Sequence, residues 1–272
     1  MNEKLVFDEF NNTVVLHKND DFDKMRKAGS LASKVLDIVE PYVKEGVTTD
    51  ELDKVCHEYI LSNNAIPAPL NYKGFPKSIC TSVNHVVCHG IPGEKILKDG
   101  DTINIDITVI LDGWHGDTSR MFFIGNKSIK SEKLVKTTYE AMWEGIKKVR
   151  PGNRLGDIGN AIQKHAESRG YSIVRDFCGH GIGKVFHTAP NILHYGNVGE
   201  GMPLEEGMFF TIEPMINIGK SGVKILEDGW TAVTRDRSLS AQFEHTIGVT
   251  EYGYEVFTLS PEEEKNLRKL KK

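Results

Sequence analysis

Four carboxylates and one histidine in this chain occupy settings that suggest chemistry. Asp106 sits in the alternating run Thr102-Ile103-Asn104-Ile105-Asp106-Ile107-Thr108-Val109-Ile110, and Asp117 follows the dipeptide Asp112-Gly113. Glu213 ends the apolar stretch Phe209-Phe210-Thr211-Ile212 and is held extended by Pro214. Glu244 lies in the strand-like Ala241-Gln242-Phe243-Glu244-His245-Thr246, and His180 stands between Gly179 and Gly181. A carboxylate amid apolar residues is costly unless it is paired or binds a metal. A strand acid on a solvent face is the plain alternative for each. Glycines on both sides of His180 permit unusual dihedrals and a close backbone approach. Together the five form an oxygen-rich, thiolate-free donor set. It suits Mn, Fe(II), Co or Zn and is unlike a closed structural zinc site. Two divalent ions about 3.5–4 Å apart in such a set would acidify a shared water and clamp a tetrahedral intermediate.

The spacing of two of these acids can be worked out. Asp112-Gly113 is a strong hairpin turn, so Leu111 faces Trp114 and paired positions sum to 225. Asp106 then lies opposite Ser119, and Asp117 opposite Thr108. Both acids share one face as diagonal neighbours, with Cα atoms roughly 7–8 Å apart. Two like charges that close repel, and a divalent metal pair resolves the conflict.

Short phrases also recur. Cys88-His89-Gly90-Ile91 returns as Cys178-Gly179-His180-Gly181-Ile182. Leu97-Lys98-Asp99-Gly100, six residues before Asp106, returns as Leu204-Glu205-Glu206-Gly207, six before Glu213. Val43, Gly46, Leu52 and Ser62 match Val149, Gly152, Ile158 and Ser168 at an offset of 106. The chain therefore reads as one domain, 1–272, built of two copies of a unit at about 20–125 and 130–250. Each copy offers a histidine and then a carboxylate, and facing copies would bring them together.

Elements must position these groups. Asp20-Asp21 cap a helix with apolar Met25, Leu31, Val35, Leu36 and Val39 at helical spacing, running to about Val43. Thr48 with Glu51 is a capping box for a second helix to Ser62. Asn63 to Pro76 reads as a loop, and Ser78 to Cys88 as a strand. Ser131–Val149 and Leu155–Arg169 are helices separated by Pro151-Gly152. Ser172–Phe177, Met208–Ile218 and Ala241–Val249 are strands, and Gly219–Gly222 a turn. Helices and antiparallel strands in each half predict an α+β fold.

Composition narrows the class. Apolar content of 39% and charged content of 26% are those of a soluble globule. A net charge of −4 argues against a dedicated nucleic-acid binder. Lys265–Lys272 is locally basic and reads as a solvated tail. Met1–Phe10 carries Glu3, Asp8 and Glu9 and is no signal peptide. No apolar run reaches the ~18 residues of a membrane span. The four cysteines, Cys56, Cys80, Cys88 and Cys178, show no C-x-x-C pair. They predict a cytoplasmic protein with reduced thiols. The chain has no G-x-S-x-G, H-E-x-x-H, G-x-G-x-x-G or P-loop motif.

From about Asp21 to Val256 the chain resembles the methionine aminopeptidases of the bacterial-like type I. Seven stretches carry the resemblance, in order: Ser78-Ile79-Cys80-Thr81-Ser82-Val83-Asn84, Val87-Cys88-His89-Gly90-Ile91-Pro92, Asn104-Ile105-Asp106, Gly116-Asp117-Thr118-Ser119, Cys178-Gly179-His180-Gly181-Ile182-Gly183, Phe209 with Thr211-Ile212-Glu213-Pro214-Met215, and Phe243-Glu244-His245-Thr246. It implies the pita-bread fold, with an internal pseudo-twofold around a curved antiparallel sheet and helices outside. It also implies two divalent metal ions (Co, Mn, Fe(II) or Zn) on Asp106, Asp117, His180, Glu213 and Glu244, with Asp117 and Glu244 bridging. His89 would contact the substrate backbone, and His187 would polarise the carbonyl. Glu213 would carry a proton between water and the leaving amine. Tyr72, Phe75, Cys80, Phe186 and Trp230 would form the methionine pocket, whose aromatics and sulfur-tolerant wall suit a thioether. For Phe186, plain core packing stands equally open. Pro69 and Phe75 depart from the family's usual cysteine and tyrosine, which implies altered pocket detail with the same substrate.

The implied activity is removal of the initiator methionine from nascent chains with a small second residue, by a cytoplasmic monomer. Transient ribosome contact would fall to Lys127, Lys130, Lys133, Lys136, Lys147 and Lys148, which otherwise read as a solvated helix face. No cysteine-rich extension precedes Asp20, and Glu213 and Glu244 stand only 31 positions apart, too few for the type II insertion. Prolidases and proline aminopeptidases share the five ligands but carry a large N-terminal domain. Non-enzymatic relatives of the fold typically lose ligands or gain basic extensions, and this chain keeps all five.

Overall fold

The structure, a computed structural model, describes residues 4–270. The N-terminal expectation touches Met1–Glu3 and the basic tail Lys271 and Lys272, which lie outside the described residues. A hairpin that the sequence reading did not anticipate comes first: β1 (Lys4–Phe7) pairs with β2 (Thr13–Leu16). Helices α1 (Asn19–Val39) and α2 (Thr49–Ser62) follow, then β3 (Ile66–Pro67), β4 (Cys80–Val83), β5 (Val86–Cys88) and the hairpin β6 (Thr102–Leu111) and β7 (Trp114–Phe123). The second half begins again with a helix pair, α3 (Ile129–Ile146) and α4 (Leu155–Glu167). Then come β8 (Ser172–Ile173), β9 (Gly179–Gly181), β10 (Thr188–Ile192), β11 (Phe209–Ile212), β12 (Met215–Asn217), β13 (Val223–Ile225) and β14 (Ala232–Thr234). The last elements are β15 (Ser240–Gln242), β16 (His245–Thr250), β17 (Gly253–Val256) and α5 (Pro261–Leu270). This is the α+β architecture read from the sequence.

Several boundaries differ, each for a local reason. Lys18 rather than Asp20 is the N-cap of α1, because the Asp21 carboxylate accepts from the Lys18 N–H from its N3 position. The α-helix stops at Val39, and Pro41 carries the chain into a short 3-10 turn. Helix α3 begins at Ile129 instead of Ser131, capped by Ser128, whose hydroxyl accepts from the Ser131 N–H. The predicted Ser78–Cys88 strand is two strands, interrupted where Asn84 takes φ 56°. Only Ser172–Ile173 of the predicted Ser172–Phe177 strand is paired. Asn63–Pro76 is mostly loop, as expected, with β3 and a 3-10 turn at Tyr72–Gly74 inside it. The capping box at Thr48 and Glu51 forms as predicted.

Each half has its own apolar core. In the first, Val35, Leu36 and Val39 of α1 and Leu52, Cys56 and Ile60 of α2 meet Ile103, Ile105, Ile107 and Val109, the alternate residues of β6. The second packs Leu134, Met142 and Ile146 of α3 with Ile158 and Ile162 of α4 against Ile212, Ile216 and Ile247. With its odd-numbered residues committed to the core, β6 must turn Asn104, Asp106 and Thr108 the other way, toward the second half. There the order β10-β9-β11-β16-β17 makes a five-stranded sheet, while β3-β6-β4 with β7 on β6 makes a four-stranded one.

The halves meet where β14 pairs with β5 and at a short antiparallel bridge between Ser119 and Glu244. The Glu244 N–H donates to the Ser119 carbonyl at 3.2 Å, and Thr118 Oγ1 donates to the Glu244 carbonyl at 2.7 Å. Thr246 Oγ1 donates to the Asp117 carbonyl at 2.7 Å, and Asn104 Nδ2 donates to the Gln242 carbonyl at 2.8 Å.

Helix α1 lies directly on β7. A Cβ added to Gly116 would stand 2.3 Å from the Ala28 backbone, far inside contact distance. Gly116→Ala should therefore destabilise the protein by roughly 1–3 kcal/mol through overpacking. Gly93→Ala, where nothing lies within 4 Å of the added carbon, should stay within about 0.5 kcal/mol of wild type. Thermal and urea unfolding of the two variants checks this. Equal stabilities would mean that α1 and β7 are not in the contact described.

Candidate metal centre

The hairpin register is the one computed from Asp112-Gly113. Asp106 pairs with Ser119 and Asp117 with Thr108, and both turn residues adopt positive φ, 50° and 80°. Asp117 is thereby buried facing β9, and Thr108 Oγ1 donates to its Oδ1 at 2.8 Å. Glu213 and Glu244 each occupy a break between strands: β11 gives way to β12 at Glu213-Pro214, and β15 to β16 at Phe243-Glu244. The continuous strands expected there are interrupted because these two side chains leave the pleat for the cavity between the halves.

His180 sits on β9, and its glycines serve close approach. A Cβ at Gly179 would lie 2.3 Å from the Thr211 carbonyl oxygen, and one at Gly181 would lie 2.0 Å from that of Ala189. Neither glycine has the positive φ that the flanking pattern also permitted. The imidazole Nδ1 is 3.1 Å from the Gly181 carbonyl oxygen, so Nδ1 carries the proton and donates. Nε2 then turns its lone pair toward Asp117 Oδ2 and Glu213 Oε1, each 3.6 Å away. One ligand atom from each of Asp117, His180 and Glu244 falls within 4.8 Å of the others. Asp106 and Glu213 line the same cavity of about 360 Å3.

These are electron donors aimed at one another without protons between them. Burial lifts the Asp106 carboxyl to about 7 and that of Glu213 to about 8. Asp117 and Glu244 are pushed well above the carboxylate range, by burial first and then by their acidic neighbours. Burial lowers His180 to about 4, keeping it neutral. A cation of charge two or more among them removes both penalties. The donor set thus fits divalent ions, which Asp106, Asp117, His180, Glu213 and Glu244 would hold.

The other predicted residues line the same cavity. Phe75 is buried, with its ring centroid 5.2 Å from that of Trp230, edge to face. Cys80 pairs with Asp106 across β4 and β6, and burial raises its thiol far above the ordinary value. His89 adopts φ 56°, a left-handed conformation that is uncommon for this residue type. Its ring is flanked by Phe177 at 5.4 Å and Trp230 at 6.2 Å. Phe186, left open between core and pocket, faces the cavity between Tyr72 and His187, at 4.9 and 4.0 Å. Pro69 and Phe75, the two departures, both line the cavity.

Sequence reasoning missed the groups that aim the acids. His194, read as a histidine without context, is fully buried and accepts the Glu213 N–H through Nε2 at 3.1 Å. Thr211 Oγ1 accepts the His180 N–H and donates to Glu213 Oε1 at 2.8 Å, while Gln242 Nε2 donates to Glu213 Oε2 at 3.2 Å. The sequence signal was only proximity: Thr211 lies two residues from Glu213, and Gln242 two from Glu244.

The model of metallopeptidase family M24 matches residues 23–251. The chain belongs to that family. As a member of M24 it is a metal-dependent hydrolase, and its similar relatives include methionine aminopeptidases. It is 62% identical to the methionine aminopeptidase of Rickettsia prowazekii over 92% of this chain and 96% of that one. It is 54% identical to that of Escherichia coli K12 over 88% and 92%. The crystal structure of the Rickettsia enzyme superposes with a TM-score of 0.90, covering 90% of this chain and all of that one. Prolidase from Pyrococcus furiosus, 20% identical with a TM-score of 0.72, shares the pita-bread fold of M24. All four cysteines are free thiols. No helix among the described residues is long and apolar enough to cross a membrane.

The raised carboxyl values have a thermodynamic sign. Between the unfolded values near 4 and the folded values of about 7 for Asp106 and about 8 for Glu213, the folded chain holds protons that the unfolded chain has released. Stability of the metal-stripped protein should therefore fall as pH rises from about 5 to about 8. Adding Mn at pH 8 should restore it, raising the melting temperature by roughly 5 °C or more. Thermal unfolding in chelator across that range is the check. A flat profile with no response to metal would mean that the acids are not held together.

Proposed function

We propose that the chain is a methionine aminopeptidase that removes the initiator methionine from nascent proteins whose second residue is small. The observation that carries the reading is the meeting, in one cavity, of Asp106, Asp117, His180, Glu213 and Glu244 with an apolar wall. Phe75, Trp230, Cys80, Phe186 and Tyr72 supply that wall, and about 360 Å3 suits one unbranched side chain and the backbone beside it. Phe75 and Trp230 meet edge to face, leaving a slot for a flexible thioether, and the neutral Cys80 thiol adds no charge.

Two bound divalent ions (Mn, Fe(II), Co or Zn) would anchor the free α-amine, acidify the attacking water and draw charge from the scissile carbonyl. The chain's own groups do the rest. Glu213 takes a proton from the attacking water and passes it to the leaving amine nitrogen. Thr211 and Gln242 fix its two oxygens for that transfer. His89, held at the wall by its left-handed backbone and two aromatic edges, donates to the substrate backbone. His187 at the mouth donates to the carbonyl oxygen as it gains charge.

The two helix-pair-and-strand halves form a single catalytic domain with a pseudo-twofold axis through the metal centre. The protein works as a cytoplasmic monomer in transient contact with the ribosome. On α3, Lys136 and Lys147 already pair with Glu140 and Glu144. These exposed pairs are weak, so the basic face for that contact remains Lys127, Lys130, Lys133, Lys136, Lys147 and Lys148.

Metal stripping should abolish release of methionine from Met-Ala-Ser, and Mn, Fe(II), Co or Zn should restore it. Met-Lys-Ser, Leu-Ala-Ser and Ala-Pro-Ser should remain intact. Glu213→Gln should lower kcat by roughly 10²-fold or more. Cleavage of Ala-Pro-Ser in place of Met-Ala-Ser would move the chain to the proline-specific branch. Absence of turnover in a folded, metal-loaded sample would overturn the reading.

A further inference from the structure

The segment after Pro69 is built at a cost. Asn71 and Lys73 both adopt left-handed backbone conformations, φ 66° and 47°, with Tyr72 between them. Such conformations are unfavourable for residues with a Cβ and persist only where surrounding structure imposes them. Here the segment binds itself: the Asn71 N–H donates to the Phe75 carbonyl at 2.8 Å, and the Phe75 N–H donates to that of Tyr72 at 2.9 Å. The result is a rigid knob that projects one side chain over the cavity mouth. Tyr72 Oη comes to 3.0 Å from His187 Nδ1, the one hydrogen bond found for that imidazole among the described residues.

His187 is otherwise held only by rings. His180 lies 4.1 Å away centroid to centroid, Phe186 4.0 Å and Tyr72 5.2 Å. Ring contacts restrain the plane of an imidazole. They do not choose which nitrogen bears the proton, nor prevent a half-turn that swaps nitrogen for carbon. A phenol hydroxyl at Nδ1 holds the ring against the half-turn, and because it is a far stronger acid than an imidazole N–H it favours donating to a bare Nδ1 over accepting from a protonated one. The Lys73 ammonium stands 5.3 Å from the Tyr72 ring centroid, and a cation over the ring makes the hydroxyl a better donor.

We propose that Tyr72 is a positioning residue: its hydroxyl donates to Nδ1 of His187 and fixes the tautomer with the proton on Nε2, the form able to donate to the substrate carbonyl. This goes beyond the pocket-wall role of Tyr72 and rests on the proposed reading of His187. A carbonyl oxygen gaining charge needs a donor. The opposite tautomer would present a lone pair and repel it, so the hydroxyl favours the transition state more than the bound substrate.

The test is Tyr72→Phe, which keeps the ring and removes the hydroxyl. In 15N-histidine-labelled, zinc-loaded protein, long-range proton–nitrogen spectra report each ring's tautomer, with the signal lost in His187→Gln assigning His187. The wild type should show the proton on Nε2, and Tyr72→Phe a mixture of both forms. On Met-Ala-Ser the variant should lose roughly five- to thirty-fold in kcat with KM changed less than about two-fold. An unchanged tautomer overturns the proposal, whether kcat holds or falls, since a fall alone reports a damaged wall. A changed tautomer in a wild-type protein that releases no methionine would uphold the positioning and overturn the activity.

Discussion

Mutual repulsion among buried acids is the constraint on which this structure depends. Asp106, Asp117, Glu213 and Glu244 share one cavity with a neutral histidine whose lone pair faces two of them. Left alone, such a cluster would protonate or open. It is held by groups that give nothing back in charge: Thr108 on Asp117, Thr211 and Gln242 on Glu213, and the bridge between Ser119 and Glu244. Every one of these donors is a neutral hydroxyl, amide or peptide N–H. The charge balance is therefore left to ions from solution, while the protein supplies position.

The cost of that arrangement is spread through the fold. Each half buries a core of its own, and two smaller apolar clusters, Phe22, Met25 and Trp114 with Phe209 and Phe257, and Val87 and Cys88 with Met215 and Ala232, join the halves alongside the hydrogen bonds. The joint lies where the ligands lie. The carbonyls of Asp117 and Glu244 accept from Thr246 and Thr118, so the same residues that would hold metal also hold the halves together. Glycine at 116, 179 and 181 lets neighbouring backbone come closer than a Cβ would allow. Left-handed conformations occur at the cavity rim, at His89, Asn71 and Lys73, as well as at turns such as Asn84 and Asp112.

Much of this was legible in the residues. The Asp112-Gly113 turn defines a register by counting alone, and alternation along β6 assigns one face to the core. These are properties of adjacent residues, and the observed pairing matches them position for position. The capping box at Thr48 and the helical stripes of α1 and α3 are local in the same sense. The resemblance to a known family added roles that no spacing argument could assign.

What the residues alone could not show depends on contacts distant in the chain. Phe186 could be core or wall until Tyr72, more than a hundred positions earlier, was seen beside it. His194 has no distinguishing neighbours in sequence and becomes a support for Glu213 only because β10 leads it beneath the end of β11. The strands expected at Met208–Ile218 and Ala241–Val249 break at Glu213 and Glu244, whose side chains turn into the cavity instead of following the pleat. The sequence by itself determined the main helices, the hairpin register and which acids stand in strand-like runs, since these follow from capping, turn chemistry and periodicity over a few residues. Only the tertiary structure decided how the acids converge and what aims them. Convergence is set by the fit of the two halves against each other, and no short window of sequence contains both.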